Sequence, residues 1–219
     1  LGLLLCGNSN ACDKEDFIKY VSSCKNKCIA ILNLGKIENG KKNLIVFLHG
    51  DGSPNSPRPG IPKKSQIRFA KELINDKNNI FLFARPGYFI RDRGSSEEDR
   101  YSSGPRNAIK STIVNYDWKN FQILAPALQN LRKYYKPKKL ILIGHSGGAY
   151  QGGTIHGKVP GLVDINILIS CPCDWEIRKK LSNGKKWETK SQLKELKKNS
   201  PSFNYKDIDL KSLNIFCLL

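Results

Sequence analysis

The sequence predicts an α/β domain with a mostly parallel central sheet and helices on both faces. Three observations carry this expectation. Short, continuous apolar runs recur along the chain, as strands buried on both faces of a parallel sheet require. Segments with apolar residues at helical spacing lie between them, so strands and helices alternate. The 219 residues suffice for one domain with a sizeable core, and no internal repeat divides them.

Cys28 to Leu34 reads as a strand, and Glu38 to Lys42 as a turn. Leu44-Ile45-Val46-Phe47-Leu48 is a wholly apolar run that ends at His49-Gly50. A loop rich in Pro, Ser and Gly follows, from Asp51 to Pro62. Ser65 to Asp76 then carries Ile67, Phe69, Ala70, Leu73 and Ile74 as a helical stripe. Ile80 to Ala84 is the next buried strand, stopped by Pro86-Gly87. Arg91 to Asn107 is charged and lacks periodicity, which marks a long loop. From Asp117 to Tyr135, Phe121, Leu124, Ala125, Leu128 and Leu131 recur at helical spacing, with Pro126 expected to kink the helix. Leu140 to Ile143 is a third buried strand, Gly147 opens a short helix, and Ile165 to Ile169 makes a fourth strand. Lys190 to Lys198 is helical, and Leu213 to Leu219 begins a fifth strand, so the sheet is expected to be incomplete at its C-terminal edge.

Composition narrows the function classes. Apolar residues make up 39% and charged residues 26%, ordinary values for a globular protein. No apolar run reaches the roughly 18–20 residues of a membrane span. Lys and Arg total 37 against 19 acids, a formal charge of +18. The lysines are scattered and not interleaved with aromatic residues, so they read as solvated surface and not as a nucleic-acid groove. No Walker loop or dinucleotide glycine pattern occurs, no Cys-x-x-Cys pair is present, and the three histidines are not at ligand spacings; neither metal nor cofactor is expected. Leu1-Gly2-Leu3-Leu4-Leu5-Cys6, followed by Ser9-Asn10-Ala11, reads as the tail of a secretory signal peptide cut before Cys12. Residues 1–11 are thus expected to be a leader remnant, residues 12–219 the folded domain, and the protein secreted or periplasmic; a short buried strand is the other reading of that run. Seven cysteines suit an oxidising compartment, with the pairing open.

Chemistry enters at Gly144-His145-Ser146-Gly147-Gly148, of the form Gly-x-Ser-x-Gly. Alone, the pattern arises by chance in roughly one chain in ten of this length. Here it lies directly between a buried strand and a helix, where a nucleophile elbow has to be. So sharp a reversal forces Ser146 into strained backbone geometry and demands small residues at Gly144 and Gly148. It also lifts the hydroxyl above the carboxyl edge of the sheet, at a helix N-terminus that favours a developing anion. The second component is His49-Gly50-Asp51-Gly52, after the first buried strand. Acyl transfer needs two backbone donors for the tetrahedral oxyanion. The N–H of Gly147 is one, and that of Asp51 or, failing it, Gly52 is the other.

His49-Gly50, Arg85-Pro86-Gly87-Tyr88 and Gly144-His145-Ser146-Gly147-Gly148, each after a buried strand and in this order, resemble the α/β-hydrolase family from about Leu44 to the last residue. Ile165 to Asp174, with Ser170-Cys171-Pro172-Cys173-Asp174-Trp175, is similar to the corresponding strand and loop of esterase- and peptidase-like members. The resemblance implies a serine hydrolase that cleaves an ester or amide of a small molecule or peptide through an acyl-enzyme on Ser146, with a Ser-acid-His triad in that chain order. It also implies a late histidine, whereas His156 is the last in this sequence. His49 belongs to the oxyanion loop, His145 is expected on the far side of the elbow, and His156 about 15 Å along the following helix. The base, and the acid that the family places after the strand starting at Asn214, are therefore expected outside these residues, with Asp174 the alternative acid. The competing expectation is a non-catalytic binding protein, or an inactive fragment, on the same fold.

Overall fold

The computed structural model describes residues 16–24, 27–35, 37–38, 40, 42–51, 60–61, 64–75, 77–90, 94–95, 118–174, 190–205 and 215–218. Seven strands form the main sheet: β1 (Tyr20–Ser22), β2 (Cys28–Leu34), β3 (Asn43–Leu48), β5 (Asn78–Phe83), β8 (Leu140–His145), β9 (Ile165–Ile169) and β10 (Ile215–Leu218). Their spatial order is β1-β2-β5-β3-β8-β9-β10. From β5 to β10 all neighbours are parallel; β2 runs antiparallel to both β1 and β5. Two-residue strands β4 (Gly60–Ile61), β6 (Phe89–Ile90) and β7 (Gly94–Ser95) form a second, small sheet beside it.

The apolar runs are strands because alternate residues have apolar partners on each side. Leu44, Val46 and Leu48 join Phe81, Phe83, Leu140 and Leu142 on one face, under helices α2 (Trp118–Tyr135) and α3 (Gly147–Lys158). Ile45, Phe47, Ile80, Leu82 and Ile143 occupy the other, with Ala70, Ile67 and Leu73 of and beside α1 (Lys64–Glu72). Each such buried side chain contributes about 1.5–3 kcal/mol. Pro126 lies inside α2, which continues through it. Two further helices, α4 (Lys190–Asn199) and α5 (Pro201–Asn204), cover the outer side of α3, so that Gly147 to His156 are all buried. The Tyr150 hydroxyl donates to Leu196 O at 2.6 Å, and that of Thr154 donates to Asn199 O. Gly153 and Gly157 leave room for Pro201 and Asn204.

Chain order fixes where a site can form. From β3 the chain passes through α1, on one face, to β5; from β5 it returns through α2, on the other face, to β8 on the far side of β3. The segments leaving β3 and β8 therefore diverge to opposite faces, which opens a crevice at the carboxyl ends of these two neighbouring strands.

Several expectations change in detail. The first helix ends at Glu72, short of Asp76, and Phe69 and Ile74 of its expected stripe are exposed. β1, β4, β6, β7 and α5 are too short for periodicity to announce. The loops expected at Asp51 to Pro62 and Arg91 to Asn107 contain β4 and β7, and much of both lies outside the described residues. So do residues 1–11, read as a leader remnant, and residues 175–189 before α4. Cys171 and Cys173 form a disulfide, and Cys24 and Cys28 are also disulfide-bonded. Among the described residues no helix is long and apolar enough to cross a membrane.

Candidate active site

β8 ends at His145 and α3 begins at Gly147, so Ser146 alone turns the chain. Its backbone sits at φ 51°, ψ −117°, a region that costs a non-glycine residue about 1–3 kcal/mol. The surroundings hold it there. Its N–H donates to Ile169 O on β9 at 2.8 Å, and its carbonyl accepts the N–H of Tyr150 at 3.0 Å. That latter bond is the first of the helix, so the N–H groups of Gly147, Gly148 and Ala149 precede the intrahelical ladder and form its positive end. Ser146 itself is partly exposed, at the crevice and not within packed apolar material.

Both flanking glycines are sterically required. A Cβ on Gly144 would lie 2.5 Å from Ala149 Cα and 2.6 Å from Gly148 O. On Gly148 it would lie 2.2 Å from Leu48 O and 2.5 Å from His49 O. The first glycine lets the helix fold back on its own strand, and the second lets the helix start press against the end of β3. Gly50 completes the approach: a Cβ there would be 3.3 Å from Ser146 Cβ and 2.8 Å from His145 Nδ1. The two loops expected to form one site thus meet at the serine. Asp51 follows Gly50 in this loop, and Gly147 is the residue after the serine; Gly52 lies outside the described residues.

The loop after β3 is fastened to the loop after β5. His49 is fully buried; its Nε2 accepts the backbone N–H of Arg85 at 3.1 Å, and its Nδ1 lies 2.7 Å from Gly50 O. Nε2 as acceptor leaves the proton on Nδ1, donated to Gly50 O. Burial, with the Arg85 charge second, holds its pKa well below the usual histidine value. The Arg85 guanidinium, 0% exposed, pairs with the Asp51 carboxylate and donates to the Tyr88 hydroxyl at 3.0 Å. Tyr88 in turn donates to Asp51 Oδ1 at 3.4 Å and meets the His49 ring edge-on at 4.5 Å. In the sequence Arg85 and Tyr88 belong to a motif with no assigned role. A charged residue just past a buried strand is the one signal the sequence carries there; which carboxylate it meets depends on the sheet order.

Neither His49 nor His156 is placed as a base for Ser146. His49 is committed at both nitrogens, and His156 is buried late in α3, with burial lowering its pKa. His145, expected on the far side of the elbow, instead has its Nδ1 against Gly50. Asp174, the alternative acid, follows the Cys171–Cys173 bridge and is partly exposed.

No protein-family model and no curated protein matches the chain. Solved structures do resemble it. The esterase of Pyrococcus furiosus superposes with a TM-score of 0.51 at 16% identity, over 90% of this chain and 68% of the esterase. An acylaminoacyl peptidase gives 0.56 at 16% identity, over 87% of this chain and 30% of the peptidase. Prolyl oligopeptidase B of Galerina marginata gives 0.57 at 15% identity, over 84% of this chain and 25% of that protein. The chain thus spans about two thirds of the esterase but only 30% and 25% of the two peptidases. At these identities the likeness is one of architecture, and with the strand order and the bend at Ser146 it establishes that this chain has the α/β-hydrolase fold.

Proposed function

We propose that the protein is a serine hydrolase that cleaves an ester or amide of a small molecule or peptide through an acyl-enzyme on Ser146. The observation that carries this reading is the positive-φ bend that presents Ser146 at a helix start, so near the loop after β3 that a Cβ on Gly50 would lie 3.3 Å from Ser146 Cβ. A partly exposed serine in a sterically enforced, strained turn has no structural need to be there; strain of this kind is retained where it orients a reacting group.

In the proposed reaction Ser146 Oγ attacks the substrate carbonyl carbon, and the backbone N–H groups of Gly147 and Asp51 receive the oxyanion. Collapse of the tetrahedral intermediate breaks the bond to the alcohol or amine, which leaves with the serine's proton delivered by the base. Water, deprotonated by the same base, then attacks the acyl-enzyme and releases the acid. We assign neither the base nor its acid among these residues: His49 is engaged at both ring nitrogens, and His156 is buried late in α3. The disulfides at Cys171–Cys173, Cys24 and Cys28 support a secreted or periplasmic setting for this chemistry.

The test is covalent labelling by a fluorophosphonate probe in the full-length protein. Ser146 is expected to be the modified residue, with labelling lost in Ser146→Ala. The alternative, a non-catalytic binding protein on this fold, is favoured by the engagement of His49 at both ring nitrogens and the burial of His156 late in α3. A folded full-length protein that never labels would decide for it.

A further inference from the structure

We infer that Arg85 is a positioning residue for the proposed reaction: it clamps the loop after β3 so that the Asp51 N–H is held toward Ser146. This rests on the serine-hydrolase reading. Arg85 stands just past the end of β5, whose Phe83 is paired in register with Leu48, the last residue of β3. The two loops therefore leave adjacent strands side by side.

One residue ties the neighbouring loop at two points. Its backbone N–H enters His49 Nε2 at 3.1 Å, and its guanidinium pairs with the Asp51 carboxylate. Between these ties lies Gly50, which has no side chain to hold it and whose carbonyl faces His49 Nδ1 at 2.7 Å. A Cβ on Gly50 would also come within 3.3 Å of Ser146 Cβ. A glycine-containing loop would otherwise sample many conformations. With both neighbours pinned, the peptide linking Gly50 to Asp51 has one orientation.

Burial makes the clamp stiff. The Arg85 side chain is 0% exposed and that of Asp51 29%, so the pair is shielded from the solvent that weakens surface ion pairs. Tyr88, three residues on, bonds to both partners, and the guanidinium carbon stands 4.9 Å from its ring centroid. Asp51 thus has two separable parts: a carboxylate that is held and an N–H that is aimed. An asparagine at 51 keeps the second and weakens the first.

The experiment compares Asp51→Asn, Arg85→Lys and Tyr88→Phe with the parent in the full-length protein. The rate constant for fluorophosphonate labelling, the kcat and KM for p-nitrophenyl acetate, and amide hydrogen exchange at residues 49–51 are measured for each. Asp51→Asn is expected to fall at least tenfold in labelling rate and kcat, with KM within about twofold, and to exchange faster at residues 49–51 than elsewhere. A folded Asp51→Asn protein that reacts at the parental rate with unchanged exchange overturns the clamp. If Arg85→Lys fails to fold, Asp51→Asn and Tyr88→Phe carry the comparison. Failure of the parent itself to label and turn over removes the hydrolase reading. In that case, lost protection in Asp51→Asn would leave a loop tie whose catalytic purpose is refuted, and unchanged protection would refute the tie as well.

Discussion

Gly148→Ala should be among the most damaging single-methyl additions in this fold, and Gly152→Ala, one turn along the same helix, nearly silent. Both replacements gain the same intrinsic helix preference of alanine over glycine, about 1 kcal/mol. They differ in what the new methyl meets. At position 152 it lies 3.2 Å from Leu142 Cδ2 and 3.3 Å from Asn166 Oδ1, both side-chain ends that yield by small rotations. At position 148 it lies 2.2 Å from Leu48 O and 2.5 Å from His49 O, both backbone atoms at the end of the central strand. Neither can rotate away, so the start of α3 and the end of β3 have to separate by about 1 Å, beyond the range of ordinary overpacking. Gly152→Ala is expected within about 1 kcal/mol of the parent. Gly148→Ala is expected to lose about 3 kcal/mol or more, which lowers Tm by about 6–12 °C in a domain of this size. Thermal and urea unfolding of the purified variants measure both. Equal stabilities would refute the claim that α3 and the loop after β3 are in backbone contact, and with it the geometry that joins Gly50 to Ser146.

Ser146→Gly should be more stable than Ser146→Ala by about 1 kcal/mol or more, because glycine relieves the φ of 51° and alanine does not; identical melting curves would show that the bend is not strained. Stability should also fall on acidification below about pH 6.5 in a way that depends on His49. Its folded pKa is lowered well below the unfolded value of 6.5, so in that window the unfolded chain binds a proton that the folded chain refuses. The stabilisation is complete above the unfolded pKa and declines as pH falls toward the folded one, by up to about 1.4 kcal/mol per pH unit. His156, also lowered by burial, adds in the same direction. Denaturant titrations from pH 8 to 5 should therefore show a shallower slope in His49→Asn than in the parent, and equal slopes would remove His49 from the account.

Apolar runs make their own strands legible. Leu44 to Leu48, Ile80 to Ala84 and Leu140 to Ile143 have nowhere to go but a sheet covered on both faces, and they form β3, β5 and β8 within a residue or two. Glycines flanking a serine between strand and helix likewise announce a bend before its angles are known. Short edge strands such as β1 and the two-residue pairs leave no such trace, because their stability comes from neighbours and not from their own pattern.

By itself the sequence determined which segments are buried and where the chain must reverse, since periodicity and side-chain size act locally. Tertiary structure alone decided that β3 lies between β5 and β8, which is what brings Gly50 to Ser146 across almost a hundred intervening residues. It alone turned Arg85 and Tyr88 from a recognised motif into partners of Asp51. Burial of a guanidinium selects its carboxylate by proximity in space, a property that no spacing along one chain encodes.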